Sequence, residues 1–344
     1  MLLNHPGTWQ QFQFRPDNKG LNVMEMKSKY LHEQYLFEAE LFNLQQQQQQ
    51  NMFMNGGGGG PTSTSTSPSY TTELRLSFNN DLQTIESDFG FDPSNVFDWN
   101  NKFVNGGFET LTIDDSNLSA PIITLKGNDT NIGIDGDVFQ EKITLLSLID
   151  LHDNCINEIG ANCFENNSII QNVTLNNVTI IGVAAFGGCT SLTSVGFSSL
   201  ITIPNANDFS SGVFYDCALS GEDLGIMFPA LVTIGNFAFF RTSIPSLASS
   251  TITTIGFRAF DQSALTSINL TSPVTFGNNT GGRSFATCSS LNSITLPSVC
   301  TFFGDNNDTF INVANGGTAV VNNENINDAS ILYLDNTLNW TINS

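Results

Sequence analysis

Apolar and polar positions recur as one unit through the C-terminal two thirds of the chain. Each copy reads Ile-Gly, then Ala-Phe, then a cysteine or a small polar residue, then Leu-x-x-Ile-x-Leu. Ile159-Gly160 and Ile181-Gly182 open neighbouring copies 22 residues apart, and Ile234-Gly235 and Ile255-Gly256 open two others 21 residues apart. A recurring unit of this length predicts a solenoid, in which each coil buries its apolar residues against the next coil.

Two marks within the unit predict its local structure. The Leu-x-x-Ile-x-Leu segment ends with apolar residues at every second position, which predicts a short strand in a parallel ladder. The glycine after the isoleucine suits a corner where a Cβ would clash or where φ must be positive. An aromatic residue then marks the predicted buried core of each copy, at Phe164, Phe186, Phe214, Phe239, Phe260 and Phe285.

The unit resembles the BspA-like (treponemal-type) leucine-rich repeat. The likeness is best in residues 181–203 and 288–302, and Ser290–Val299 follows the repeat pattern almost letter for letter. The resemblance implies a β-rich solenoid of short parallel strands with about six to seven coils, spanning residues 132–302. Residues 132–159 form a degenerate first coil that contains Phe139. Proteins with such repeats are surface proteins involved in adhesion, which is the function that the resemblance implies.

The N-terminal segment, residues 1–55, has a different pattern. Residues 24–50 show helical spacing, and their apolar side chains predict an anchor helix that docks on a protein partner or self-associates. A plain amphipathic helix is the alternative. The anchor residues are Tyr30, Leu31, Tyr35, Phe37, Leu41, Phe42 and Leu44. Residues 56–69 are rich in Gly, Ser and Thr, which predicts a flexible tether.

Two segments flank the predicted solenoid. Residues 70–131 are expected to form an N-terminal cap, with strands at 74–78 and 111–113 and an aromatic cluster of Phe97, Trp99, Phe103 and Phe108. Those aromatics alternatively form a binding platform. Residues 303–344 are expected to form a C-terminal cap with strands at 331–334 and 338–342.

The charge balance restricts the partners of the protein. The chain has 32 acidic and 11 basic residues, for a formal net charge of −21. Nucleic-acid binding is therefore not expected, because it needs Lys and Arg to neutralise phosphates. No apolar run reaches the length of a spanning helix, so membrane insertion is not expected either. The first 23 residues have no apolar core typical of a secretory signal, and Met24 is a second candidate start.

The chemistry-bearing residues predict neither a catalytic site nor a metal or cofactor site. Cys189, Cys217 and Cys288 each follow a repeat phenylalanine by three residues. The same slot holds Asn167, Thr242 and Ser263 in other copies, which indicates a small buried position and not a disulfide or a metal ligand. The three histidines do not stand in any motif with a nucleophile. Asp129, Asp135 and Asp137 suggest a calcium loop only weakly, because turns favour Asp and Gly in any case.

Because these patterns indicate neither catalysis nor nucleic-acid binding, display and binding are the functions that we expect. We expect a non-enzymatic recognition or decoration protein that is held in a larger assembly by its N-terminal helix. A virus particle, such as a phage capsid or tail, is the expected location, and the surface of a bacterium or microbial eukaryote is the alternative. Thr193, Thr266 and Asn292, as exposed residues of the predicted strands, are the candidate binding surface for a carbohydrate or protein of a host surface.

Overall fold

Short strands joined by tight turns make up most of the chain that the structure describes. The computed structural model describes residues 70–152, 155–277, 281–303, 308–321 and 328–343. The predicted anchor helix and tether lie outside these residues. Residues 68–344 form one compact unit.

The strands, in chain order, are β1 (Thr72–Phe78), β2 (Phe103–Val104), β3 (Phe108–Asp114), β4 (Ile122–Gly127), β5 (Ile132–Ile134), β6 (Leu145–Asp150), β7 (Ile156–Ile159), β8 (Asn172–Thr174), β9 (Ile180–Ile181), β10 (Ser194–Gly196), β11 (Thr202–Ile203), β12 (Thr233–Ile234), β13 (Ser246–Ser249), β14 (Thr254–Ile255), β15 (Ser267–Leu270), β16 (Val274–Phe276), β17 (Ser293–Thr295), β18 (Cys300–Phe302), β19 (Thr318–Val320) and β20 (Thr341–Asn343). The α-helices are α1 (Leu82–Phe89), α2 (Val96–Asn100), α3 (Leu224–Met227) and α4 (Ala329–Leu338), and 3₁₀ turns span Phe209–Ser211 and Asp308–Phe310.

A column of stacked phenylalanine rings runs through the centre of the solenoid. Neighbouring rings lie nearly parallel, with centroids 4.8 to 5.6 Å apart. The column contains Phe139, Phe164, Phe186, Phe214, Phe239, Phe260, Phe285 and Phe310. All eight are fully buried. The predicted solenoid is confirmed, and it has about eight coils because Phe310 adds one beyond the predicted six to seven.

The strands of successive coils pair in parallel along two faces. On the first face, β6, β8 and β10 form one parallel run, and β13, β15, β17, β19 and β20 form another. Four of these strands, β8, β10, β15 and β17, lie at Leu-x-x-Ile-x-Leu marks, as predicted. The second face contains the parallel runs β5-β7-β9 and β11-β12-β14-β16-β18.

One coil carries helix α3 on the first face in place of a strand. The N–H of Phe197, just after β10, donates to the Met227 carbonyl oxygen at 3.1 Å. The Asp223 carboxylate caps α3 through the Gly225 N–H and also accepts the Ala248 N–H of β13. The helix therefore bridges the two parallel runs.

Helix α3 accounts for only part of the length of the copy after Ile203. Phe214 follows Ile203 by 11 residues, whereas Phe186 follows Ile181 by 5. That extra segment carries the 3₁₀ turn Phe209–Ser211.

Small residues allow the coils to stack closely. A Cβ at Gly182 would lie 2.3 Å from the Ala161 nitrogen, and one at Gly235 would lie 2.0 Å from the Pro204 oxygen. The glycine of the Ile-Gly mark is thus required by close backbone approach and not by a positive φ. The slot three residues after the phenylalanine is also buried, as predicted. There the Cys189 thiol donates to the Phe164 carbonyl oxygen of the preceding coil at 3.0 Å.

The N-terminal end of the stack is closed by residues 70–131. Strand β1 pairs antiparallel with β6 and with β4, and β3 pairs with β4, so this segment extends the first face. Trp99, Phe103 and Phe108 are buried in the main core, whereas Phe97 is 61% exposed. The Phe89 ring of α1 packs against the Phe139 ring at 5.9 Å. Trp99 packs against Phe89 in turn, with ring centroids 5.4 Å apart, so the buried rings of this segment extend the core beyond the first coil.

The C-terminal segment differs from its prediction. The strand predicted at 331–334 is wrong, because α4 spans Ala329–Leu338. Asp328 caps this helix through the Ser330 N–H, and Asn339 ends it in the left-handed conformation. Ile331, Leu334 and Leu338 are buried at helical spacing. A short apolar run does not distinguish a strand from a buried helix turn, which explains the error. Strand β20 overlaps the second predicted strand.

Replacing Phe214 by Ala is expected to lower the free energy of unfolding by about 3–5 kcal/mol, because it opens a cavity in the middle of the ring column. Phe97→Ala is the matched control, and it is expected to change stability by less than about 0.5 kcal/mol since that ring is mostly exposed. Chemical denaturation of the full chain measures both. Equal effects of the two substitutions would contradict the central role of the ring column.

A candidate binding surface

The three residues predicted for the binding surface do not form one cluster. Thr193, Thr266 and Asn292 are all exposed on the first face. Thr266 and Asn292 are neighbours, since the Asn292 N–H donates to the Thr266 carbonyl oxygen at 3.0 Å. Thr193 precedes β10, on the other side of α3.

Two of these side chains already bond to the preceding coil. The Thr193 hydroxyl donates to the Gln171 carbonyl oxygen at 3.2 Å, and the Thr266 hydroxyl donates to the Pro245 carbonyl oxygen at 2.8 Å. These hydroxyls contribute to coil stacking. A ligand-binding role for the three residues stays a prediction.

A second group of side chains lies at the corner that carries the phenylalanine column. Residues 143–344 contain only three Lys or Arg residues, Arg241, Arg258 and Arg283. Each stands within two residues of a repeat phenylalanine, and the three belong to consecutive coils. Arg258 and Arg283 share one slot, two residues before the phenylalanine, and the column places this slot of neighbouring coils side by side. Arg241 stands two residues after its phenylalanine, and its N–H donates to the Asp261 carbonyl oxygen of the next coil at 3.0 Å, so it lies on the same edge of the solenoid.

Each arginine forms an ion pair with an aspartate. Arg241 Nε lies 3.0 Å from Asp216 Oδ1, and Arg283 Nε lies 3.3 Å from Asp308 Oδ2. The third pair joins Arg258 Nε and Asp261 Oδ2 at 3.6 Å. Burial raises the pKa of Asp261 above its ordinary value, and the Arg258 guanidinium opposes that shift. Arg241 and Arg283 keep a large part of their side chains exposed.

Five aromatic side chains lie beside the arginines, outside the main core. Phe237 and Phe240 form a small buried cluster with Ala206, and Tyr215 and Phe257 pack against it half-buried. Phe209 covers Phe240 with a centroid distance of 5.5 Å and is 52% exposed. The aromatic–arginine patch, as we name this surface, consists of Phe209, Tyr215, Phe237, Phe240, Phe257, Arg241, Arg258 and Arg283.

Cation–π contact joins the two parts of the patch. The Arg258 guanidinium carbon lies 5.5 Å from the centroid of the Phe257 ring. Phe257 in turn meets Phe237 edge to face, with centroids 5.5 Å apart. These contacts hold the guanidinium against the aromatic cluster, so that the patch presents charge and ring surface together.

Local sequence features position the exposed rings. Asp208 caps the 3₁₀ turn that carries Phe209, since its carboxylate accepts the Ser211 N–H at 3.0 Å. At Gly187 a Cβ would lie 2.0 Å from the Tyr215 ring, so the absence of a side chain there makes room for that ring. The Tyr215 hydroxyl lies 3.5 Å from a Glu165 carboxylate oxygen. Both rings are thus placed by contacts that the repeat core does not require.

The patch was not predicted from the sequence, although a signal for it exists. Phe239-Phe240-Arg241 and Phe257-Arg258 place extra aromatics and arginines next to the repeat mark in successive copies. In most other copies the equivalent positions hold small, polar or acidic residues. Comparing the same slot across all copies would have revealed this change of composition.

The cysteines form no catalytic or metal-binding group in the described residues. Five of the six are buried and Cys300 is half-buried, and all six are free thiols. The Cys217 thiol donates to the Phe186 carbonyl oxygen at 2.9 Å, and the Cys288 thiol donates to the Phe260 carbonyl oxygen at 3.0 Å. Burial raises the pKa of Cys288 to about 12, and burial followed by the nearby Asp328 charge raises the pKa of Cys300 to about 12. Neutral thiols in these positions act as small donors between coils.

The remaining titratable groups give no sign of chemistry either. His152 is exposed, and its Nε2 lies 4.0 Å from Glu73 Oε2. Within the described ranges, no three His, Cys, Asp or Glu side chains are grouped so that they could hold a metal ion. None of the helices there has the length and apolar character needed to span a bilayer.

Comparison with known proteins identifies one family. The sequence model described as "BspA type Leucine rich repeat region" matches residues 116–224 and 207–328, in six copies. These ranges cover more than half of the chain and include the whole phenylalanine column. No curated protein and no solved structure matches the chain.

We expect the native protein to resist thiol reagents at about pH 8, because five of its six thiols are buried and out of reach of the reagent. Cys300 should react first, since it alone is half-buried, and all six thiols should react after unfolding in urea. Colorimetric thiol titration with and without urea measures both values. The Cys300→Ser variant is the control and should remove any slow reaction of the folded protein. Fast labelling of Cys189 or Cys217 in the folded state would contradict their burial.

Proposed function

Because the chain belongs to the BspA-type leucine-rich repeat family, we propose that it is a non-enzymatic recognition protein that binds a protein partner through the aromatic–arginine patch. Solenoids of this type are binding scaffolds, and their stacked coils present a fixed surface. The observation that carries the proposal is an aromatic cluster outside the main core, covered by the half-exposed Phe209 and lying beside Arg241, Arg258 and Arg283.

The composition of the patch favours a protein partner. Tyr, Phe and Arg are enriched at the centre of protein interfaces, whereas Lys and Glu are depleted there. Such residues also dominate binding energy when a partner removes them from water. The large exposed fraction of Phe209 leaves apolar area to be buried on binding. Since the rings and guanidinium groups are already held by neighbouring side chains, little side-chain entropy is lost on association.

The surrounding charge favours selectivity. The chain carries a net charge of −21, and the arginines of the patch stand alone among acidic and neutral coils. An approaching partner with a basic rim is therefore attracted by the protein as a whole, while acidic groups at its centre can meet the guanidinium groups.

For the location of the protein, we propose a virus particle, attached to the capsid or tail of a phage. Residues 24–50 would dock on the particle through their apolar face, and residues 56–69 would act as the tether. This assignment is supported by the helical spacing of the first segment and by the Gly, Ser and Thr content of the second. A cell-surface adhesin is the alternative, supported by the adhesion role that the repeat implies.

A photo-crosslinking amino acid at position 209 tests the patch. We expect it to capture one discrete protein from the target cell surface, because Phe209 projects from the patch. The same crosslinker at position 97 is the matched control, since Phe97 is also an exposed phenylalanine but lies in the cap. Arg241→Ala is expected to weaken binding of the captured protein at least about tenfold, as is usual for a central interface arginine. Identical products at positions 209 and 97 would refute the patch as the binding surface.

Deleting residues 24–50 tests the attachment. We expect the shortened chain to appear in the free protein fraction while the full chain sediments with particles, because the apolar anchor face is lost. Electron cryomicroscopy of those particles should show the solenoid projecting from the capsid or tail. Sedimentation of both chains with cell envelopes, and not with particles, would support the cell-surface alternative.

A further inference from the structure

An open depression lies where the N-terminal cap meets the first coil, away from the aromatic–arginine patch. Its volume is about 320 Å³, which is in the range of small-ligand sites. Helix α1 contributes Phe89, and the end of α2 contributes Asn101 and Lys102. The turn after β5 contributes Asp135 and Asp137, and Lys142 completes the wall. The cap and the coil thus bring together residues that are distant in sequence.

The two lysines of the depression form no ion pair with any carboxylate of the described residues. The described residues contain only seven Lys or Arg side chains, namely Arg75, Lys102, Lys126, Lys142, Arg241, Arg258 and Arg283. Four of them, Lys126 and the three arginines of the patch, form ion pairs. Among the described carboxylates, none lies within ion-pairing distance of Lys102 or Lys142. The Lys102 charge acts on the nearby Asp98 carboxylate, and Asp135 and Asp137 line the same depression, so the depression as a whole is not cationic. Its two ammonium groups without an ion pair favour a ligand that carries one anionic group.

Aromatic rings hold both ammonium groups in place. Lys102 Nζ lies 5.3 Å from the centroid of the Phe91 ring, and Lys142 Nζ lies 5.2 Å from the centroid of the Phe89 ring. Lys142 also donates to the Asp88 carbonyl oxygen at 2.6 Å, which fixes it to the cap. Lys102 has no such bond in the described residues and remains available to a ligand.

The opposite wall supplies hydrogen-bonding groups of the other kind. Asp135 and Asp137 are exposed carboxylates, and Asn101 offers an exposed amide. Carboxylates and amides accept and orient hydroxyl groups. The same two carboxylates repel a multiply charged anion such as phosphate, and the two lysines oppose the calcium site that the aspartates suggested. A ligand that satisfies both walls has a single negative charge and several hydroxyl groups.

We propose that this depression binds an acidic sugar residue, in which one carboxylate sits on a polyhydroxylated ring. The carboxylate pairs with Lys102 and Lys142, and the ring hydroxyls donate to Asp135 and Asp137. Phe89 borders the depression but is buried beneath Lys142, so its ring holds that ammonium group in place and does not itself contact the sugar. This site gives the protein a second specificity, for glycans, that is independent of the protein-binding patch.

Isothermal titration of the full chain with galacturonate tests the proposal. Galactose, which has the same ring without the carboxylate, and inorganic phosphate are the comparison ligands. We expect saturable binding of galacturonate, with at least about tenfold weaker binding of galactose, because a charge-assisted hydrogen bond is lost. Added salt should weaken galacturonate binding, since the ammonium groups are partly exposed. Absence of galacturonate binding, or equal binding of phosphate, would overturn the proposal.

Substitution of single lysines distinguishes binding at this site from a general effect of the net charge on galacturonate affinity. Lys102→Gln is expected to lower galacturonate affinity at least about tenfold. Lys126→Gln, which removes the same charge at the Glu73 ion pair outside the depression, is expected to leave it unchanged. Asn101→Ala is the second variant within the site and should also weaken binding, so that misfolding of one variant does not decide the result. Equal losses for Lys102→Gln and Lys126→Gln would overturn the proposal. Phe209→Ala should leave sugar binding intact, which keeps this outcome distinct from that of the patch.

Discussion

Stacking of one coil on the next is the constraint on which the rest of this structure depends. A single coil has no second layer to cover its phenylalanine, so the ring is removed from water only by the rings above and below it. The column from Phe139 to Phe310 is the result. Close stacking then demands small residues at the corners, and it turns the cysteine slot into a place for donors that reach the preceding carbonyl. The end coils need caps for the same reason.

The same constraint separates stability from recognition. Inward positions are committed to the column and the strands, whereas corner positions vary from coil to coil without disturbing either. Phe209, Phe240 and Arg241 use this freedom, since they add a second aromatic layer outside a coil whose own core is complete. The residues of the depression at the cap are not restricted by the repeat either, because the junction between the cap and the first coil is not part of any repeat copy. Two surfaces of different chemistry thus occur on one rigid scaffold.

Both surfaces carry basic side chains on a protein that is otherwise acidic. Acidic residues outnumber basic ones about threefold, which keeps the molecules soluble and apart. Against that background, the patch holds guanidinium groups that are partly neutralised by aspartates, and the depression holds ammonium groups that no described carboxylate pairs with. The first arrangement suits a mixed protein interface, and the second suits a small anionic group. Both surfaces depend on the positions of a small number of basic residues, and not on the total number of such residues.

The sequence by itself determined the solenoid, because contacts between neighbouring coils are local and repeat with the same residue types. The Ile-Gly corner, the buried phenylalanine and the parallel strands were all predictable from that period. Tertiary structure decided the rest. Helix α4 was misread because its short apolar run is compatible with a strand until its buried partners are known. The patch takes one to three residues from each of four coils, and the depression joins Lys102 to Asp137 across the junction of cap and first coil, so neither forms a pattern along the chain. Such surfaces arise only when stacking places distant residues side by side.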